Sequence, residues 1–366
     1  MSASAAWFAR VVAAHGLPGA GRARAPGAAP AFAELLAVAT REGMTGLLCR
    51  AIDAGAVEAD GAQRERARRV HEDALARDLR LERLAVRTST LLAAEGVAHR
   101  VLKGPVVARV AYEAPDLRSF RDVDVLVGRD AFERAVRLLT AEGGTRRFGE
   151  PRAGFAARYT KGVCVEGVDG CQVDVHVTLA PGPFGLAIPV EELFGSPDTI
   201  RVGGVAVPVL GPVHRFLHAC YHAALGDDPP RLASLRDVVE LVRRGESHAD
   251  AVLATARRWR GRAVVQRALR LSAATLGVPV PEAYDEWVQR YRPAPLEAAA
   301  LRSSLPPAAG YARQAAAGLL LLPGARARLH YAASLLFPGR EYLADREGSY
   351  LRRARRALGL ARGSAR

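Results

Sequence analysis

Leu81, Leu84, Thr88, Leu91 and Leu92 recur at helical spacing, so residues 62–95 read as one long helix, and Gly96 stands where such a helix stops. Two shorter helices precede it, separated by a Gly/Pro/Ala loop (GLPGAGRARAPGAAP). The pattern changes near residue 97. Val97–Leu102 is a short extended run, and Pro105 suits the first turn of a small-residue helix. Asp122–Val127 (DVDVLV) alternates polar and apolar with period two, as a half-buried strand does. Asp130-Ala131-Phe132-Glu133 resembles a capping box opening a helix whose Phe132, Val136 and Leu139 share a face. Ala156–Thr160, Gly162–Glu166 and Gln172–Leu179 read as extended, the last alternating again. A strand at Val205–Leu210 follows, then a helix from Pro212 to Leu225 and another marked by Leu232, Leu235, Val239 and Val242. Further helices fill 251–366, broken at PVPEAY, SLPP and LLPG. The expectation is an α+β chain, a mixed sheet flanked by helical regions, in three parts: 1–95, 96–210 and 211–366.

No apolar run approaches the ~20 residues needed to span a bilayer, and the N-terminal stretch lacks the pattern of a signal peptide. Four cysteines in 366 residues are too sparse for a disulfide scaffold and match no zinc spacing. These features predict a cytoplasmic, reduced protein without a membrane partner. The net charge is +14, distributed unevenly: +2 over 1–95, zero over 96–210 and +12 over 211–366. Arginine supplies nearly all of it, because Lys103 and Lys161 are the only lysines.

Asp122 and Asp124, two apart on a strand, point to one face. Two carboxylates so close repel, and a divalent cation such as Mg²⁺ relieves the repulsion through their hard oxygens. Asp174 lies fifty residues after Asp124 in another alternating run, QVDVHV. If the two strands are neighbours, three carboxylates converge, an arrangement that serves two-metal phosphoryl or nucleotidyl transfer. Upstream, Gly104 follows a strand and precedes a helix, where backbone amides can approach a phosphate. Lys103 beside it offers a compact ammonium in a chain that otherwise uses arginine. Arg118 and Arg121 either contact phosphates or pair with Asp122 and Asp124.

The run LKGPVVARVAYEAPDLRSFRDVDVLV, followed by QVDVHVTL, resembles the bacterial family of uncharacterised nucleotidyltransferases within the polymerase-β-like superfamily. Lys103, Gly104, Tyr112, Arg118, Asp122, Asp124, Asp174 and His176 occupy the places of its motifs. The similarity extends to the helix before L-K-G, the HRFLHACYH and LASLRDVVEL helices and the LFPGREYL element. The resemblance implies a nucleotidyltransferase-type mixed sheet that moves a nucleoside monophosphate from an NTP to an acceptor hydroxyl. It implies Asp122, Asp124 and Asp174 as catalytic residues and ligands of Mg²⁺ (or Mn²⁺), with Lys103, Gly104 and Arg118 holding the NTP. The acceptor is left open among a small molecule, a peptide and a protein, with nucleic acid possible but not favoured. One departure stands out: the wider superfamily places Gly-Gly or Gly-Ser before the acidic pair, whereas Pro105 follows Gly104 and has neither a hydroxyl nor an N–H. That departure motivates an alternative, a non-catalytic nucleotide-sensing or partner-binding module on the same fold.

His214, His218 and His222 share a helix face, expected to border the cleft or pack on a neighbour. His222 is placed to meet Asp237 across two helices. His176 shares the face of Asp174, near the site or in a hydrogen bond to backbone or carboxylate. Lys161 reads as a solvated turn at a strand start or a phosphate contact, and Cys164 and Cys171 as small core residues. The arginine-rich end (LRRARRALGLARGSAR) lacks the interleaved aromatics of single-strand binders.

Overall fold

The structure, a computed structural model, describes residues 3–20, 31–147, 149–195, 197–245, 248–305, 315–319, 322 and 324–339. Helices Ala3–Ala14, Phe32–Glu42 and Thr45–Asp53 lead into a 34-residue helix, Gly61–Ala94. That helix opens on a capping box, the Asp60 carboxylate accepting from Gln63 N while the Gln63 side chain accepts from Asp60 N. It closes with Gly96 at φ 64°. Leu81, Thr88 and Leu92 are buried, as the stripe predicted.

Seven strands follow: β1 His99–Val101, β2 Val123–Val127, β3 Thr145–Arg146, β4 Gly162–Glu166, β5 Gln172–His176, β6 Pro197–Val202 and β7 Val205–Leu210. They form one mixed sheet in the order β3-β4-β5-β2-β1-β7-β6. β2 runs parallel to β5, and β1 parallel to β7; the other pairings are antiparallel. The chain is thus α+β, with a mixed sheet and many helices. One face is apolar: Val101, Val125, Val175 and Val209 pack under the Gly61–Ala94 and Phe132–Ala141 helices. The other face carries polar residues beside a second core. There Val12, Leu48 and Leu102 cluster with Leu126, Phe216, Leu241 and Trp259, so N-terminal and C-terminal helices share one apolar interior. Helices Pro212–Leu225, Leu232–Arg243 and Arg262–Leu276 supply much of it.

Two local expectations fail. Ala156–Thr160 is not extended; Phe155–Tyr159 is a short helix. Gly154 at φ 75° sets its N-cap, and the Glu150 carboxylate accepts from the amides of Gly154 and Ala156, giving the first turn partners that favour a helix over a strand. The helix at Phe132 forms without the capping box, because Ala131 takes the N-cap position and no side chain caps it. The arginine-rich end lies outside the described residues. Among those described, no helix is long and apolar enough to cross a membrane.

Candidate active site

Strand register builds the site. On β2, Asp124 stands opposite Asp174 of the parallel β5, and Leu126 opposite His176. On the far side of β5, Cys164 of β4 opposes Asp174, and Gly162 opposes His176. Alternation therefore brings Asp124, Asp174, His176 and Cys164 to one face, with Asp122 just before β2. Gly162 permits this pairing: a Cβ there would lie 2.1 Å from the Val175 carbonyl oxygen.

Asp124 is 1% exposed. Its Oδ1 lies 2.9 Å from Lys103 Nζ and 3.1 Å from His176 Nε2, while its buried Oδ2 has no hydrogen-bond partner among the described residues. A buried carboxylate oxygen without a donor is costly unless a cation satisfies it. Ligand atoms of Asp124, Asp174 and His176 all lie within 4.8 Å of one another. Two carboxylates and an imidazole around an unsatisfied oxygen fit a divalent cation. Asp122 lies outside this group and is half-buried; burial, then the charge of Asp124, raises its carboxyl above the ordinary range. Burial and Asp124 raise Asp174 likewise, and the Cys164 thiol bonds its carboxylate. Burial alone would raise Asp124, but Lys103 and His176 outweigh it and hold the carboxyl well below the ordinary range. Burial first, then Lys161, pulls His176 down to about 4, so it is neutral near pH 7.

Lys103 reaches Asp124 through an abrupt turn at the end of β1. Leu102 N donates to the Asp124 carbonyl at 2.8 Å, and the chain then passes through Lys103 at φ 30° and Gly104 at φ 25°, ψ −111°. A positive φ at a non-glycine residue costs about 1–3 kcal/mol and persists only where its surroundings impose it. Gly104 is buried against Phe120, whose ring would lie 3.3 Å from any Cβ added there. Burial disfavours the Lys103 ammonium, yet Asp124 and Asp122 outweigh it and raise its pKa.

A cavity of about 460 Å³ opens beside Asp174 and His176. Half-buried Lys161 and Cys164 line it, as do Phe155 and Tyr331, whose rings stack 6.0 Å apart. Burial and the neighbouring Lys103 lower the pKa of Lys161. Both lysines of the chain therefore meet at the carboxylates. The sequence reading undervalued Lys161 and Cys164; the available signal for Lys161 was the same rarity that marked Lys103.

Arg118 is placed elsewhere. Its Nε and Nη2 donate to Asp237 at 3.2 and 2.8 Å, and Nη1 to the Ser119 carbonyl, all buried. Tyr112 donates its hydroxyl proton to the same carboxylate at 2.8 Å. The Tyr112 and Arg118 picked out from the motif thus converge on the helix Leu232–Arg243, not on Asp122 or Asp124. Asp237 answers to them rather than to His222. Arg121 donates to the carbonyls of Thr40 and Arg41. Of the three histidines on Pro212–Leu225, His214 stacks on Trp259 with centroids 5.4 Å apart, while His218 and His222 border a narrow cleft with Lys103.

Fold and site together define an α+β protein in which Asp124, Asp174 and His176, fit for a cation, stand beside a cavity that Asp174, His176 and Lys161 line. Residues 29–277 match the family of uncharacterised nucleotidyltransferases; this is more than half of the chain, which belongs to that family. A solved structure, an antigenic nucleotidyltransferase-like protein from Paracoccidioides brasiliensis, is similar at 11% identity over 56% of this chain and 95% of that one, with a TM-score of 0.33. No curated protein matches the chain.

Proposed function

We propose that the chain transfers a nucleoside monophosphate from an NTP to an acceptor hydroxyl at Asp122, Asp124 and Asp174. The observation that supports this reading is the buried Asp124, its Oδ2 unpartnered among the described residues, grouped with Asp174 and His176, which line the 460 Å³ cavity. Asp124, Asp174 and His176, with Asp122 beside them, would hold a divalent cation, Mg²⁺ or Mn²⁺, whose charge would offset that of the triphosphate and acidify the acceptor hydroxyl. The chain's own groups do the rest. Lys103 and Lys161 hold phosphate oxygens, and the turn at Gly104 fixes where the Lys103 ammonium sits. Asp174 takes the acceptor proton, a role its raised pKa suits. The acceptor oxygen bonds to the α-phosphorus as the bond to pyrophosphate breaks. Arg118 acts through Asp237 as a positioning residue for the segment that leads into β2. A cavity of this size suits a small acceptor or a single protruding side chain better than a folded nucleic acid.

The test is pyrophosphate release from a panel of NTPs with Mg²⁺ or Mn²⁺ and candidate acceptors. Asp124→Asn is expected to lower release by at least about a hundredfold. Equal rates in the two proteins overturn the assignment. The ion pair from Lys103 to Asp124 favours a second reading, a nucleotide-binding module without turnover. Calorimetry that finds tight NTP binding together with no pyrophosphate from any acceptor selects the module.

A further inference from the structure

A second cavity, of about 590 Å³, shares no lining residue with the one beside Asp174. Its lining comes from the turn after the helix Ala3–Ala14, the helix Thr45–Asp53, the segment before β2 and the end of the helix Leu232–Arg243. Four guanidiniums line it, those of Arg50, Arg236, Arg243 and Arg244. Two of them are already answered by a carboxylate. Glu240, 4% exposed, accepts at Oε1 from Arg236 Nε and Nη2 at 3.1 and 2.6 Å, and at Oε2 from Arg243 Nη1 at 2.9 Å. Arg236 is as deeply buried and donates Nη1 to the carbonyls of Ala13 and His15. Arg50 and Arg244 are exposed and have no carboxylate partner among the described residues. Of the acids that line the same space, Asp53 faces Arg64 at 3.9 Å, which leaves Glu113 alone against these two guanidiniums. The surroundings are accordingly positive: burial first, then Arg236 and Arg50, lower the pKa of the lining His15.

We propose that this cavity binds a phosphorylated small molecule, its phosphate held by Arg50 and Arg244. A guanidinium offers paired donors that match phosphate oxygens, and here two of them, from helical regions far apart in the sequence, reach one cavity without a carboxylate to neutralise them. Leu47, Ala54 and Leu117 line the same space, so the ligand carries an organic body as well as its phosphate. The volume lies in the range of small-molecule sites. The inference is independent of the nucleotidyl-transfer reading. The place of the cavity nevertheless gives occupancy an effect on the fold. Arg244 Nε donates to the Ala111 carbonyl at 3.3 Å, and the Arg236 guanidinium lies over the Tyr112 ring, 5.6 Å from its centroid. A ligand held there braces the residues around Tyr112 and Arg118, which Asp237 joins.

The test is calorimetry on the full chain in the presence of a chelator, with ribose 5-phosphate, inorganic phosphate and succinate as probes. Ribose 5-phosphate is expected to bind more tightly than the other two and to raise the thermal midpoint as its concentration rises. Arg50→Gln and Arg244→Gln, both at exposed positions, are each expected to weaken it by about tenfold, the contribution of one hydrogen bond to a charged group, with wild-type circular dichroism. Lys161→Met alters the other cavity and is expected to leave this binding unchanged. Binding lost in Lys161→Met but kept in both arginine variants overturns the proposal, because the phosphate then sits beside Asp174. Succinate bound as tightly as ribose 5-phosphate overturns it as well, as does the absence of binding by any probe at millimolar concentration. Arginine-dependent binding in a protein that releases no pyrophosphate from any NTP leaves this inference standing and removes the transferase reading. Pyrophosphate release by a protein whose ribose 5-phosphate affinity ignores both arginines does the reverse.

Discussion

Lys103 combines three properties that no arginine can reproduce at once. Its side chain is largely buried, its Nζ lies 2.9 Å from Asp124, and its backbone sits at φ 30° beside Gly104. A guanidinium is planar, wider and built for paired acceptors, so it does not reproduce the single close contact of an ammonium with Asp124 Oδ1. Lys103→Arg is therefore expected to fold and to lower pyrophosphate release by about a hundredfold, with near-wild-type circular dichroism as the control for folding. Wild-type turnover in this variant would mean that only charge matters there. Rarity made Lys103 legible in the sequence. The same rarity applied to Lys161, but its meaning depends on β4 pairing with β5 so that Gly162 and Cys164 meet His176 and Asp174. Period-two alternation predicts which face a side chain takes, not which strand lies alongside. The Asp124–Asp174 register was thus anticipated only conditionally, and the imidazole of His176 entered the cation group only once that register was known.

At the scale of elements, the segment 115–121 is what the helices hold in place so that β2 begins correctly. Ser119 N donates to the Gly43 carbonyl, Phe120 N to the Asp78 carboxylate of the long helix, and Arg118 to Asp237 on the helix Leu232–Arg243. The turn after the helix Phe32–Glu42, the helix Gly61–Ala94 and the helix Leu232–Arg243 thereby hold one loop in place ahead of β2. Asp237 is the joint of this arrangement, since it answers both Arg118 and Tyr112 inside the protein. Asp237→Ala leaves a buried guanidinium unpaired and is expected to cost about 3–5 kcal/mol of stability, read from the denaturant midpoint. Tyr112→Phe removes one hydrogen bond and is expected to cost about 1 kcal/mol. A loss below that for Asp237→Ala would show that Arg118 finds another partner. These links join residues more than 100 positions apart, which is why Arg118 looked, in the sequence, like a neighbour of Asp122 and Asp124. Local signals served better where the structure is local: the Pro212 start and the alternation of β5 both appear as read. They failed at Phe155–Tyr159, where a carboxylate several residues upstream decides the conformation.

For the molecule as a whole, the +14 charge says less than where buried charge is concentrated. Two ammoniums near three histidines make the interior hostile to a further proton. His218 is 3% exposed with Nε2 unpartnered; burial first, then Lys103 and Lys161, holds its pKa well below 6.5, with Asp124 opposing and His176 adding to the effect. His222, one turn on, is lowered for the same reasons. Below pH 6.5 the unfolded chain binds protons at these imidazoles and the folded chain does not, so stability must fall as pH falls. Each such group contributes a slope of up to about 1.4 kcal/mol per pH unit until its folded-state pKa is reached. Chelator-treated protein is therefore expected to lose thermal midpoint steadily from pH 6.5 to 5, and His218→Gln, which cannot titrate, is expected to lose it less steeply. Depressed carboxylates such as Asp124 act through the same law but release their stability lower, as pH falls below the ordinary carboxylate range. A midpoint that stays flat between pH 6.5 and 5, or an identical slope in His218→Gln, would show that His218 is open to solvent and protonates freely. In that case the narrow cleft beside Lys103 is not the closed, cationic environment drawn from its lining.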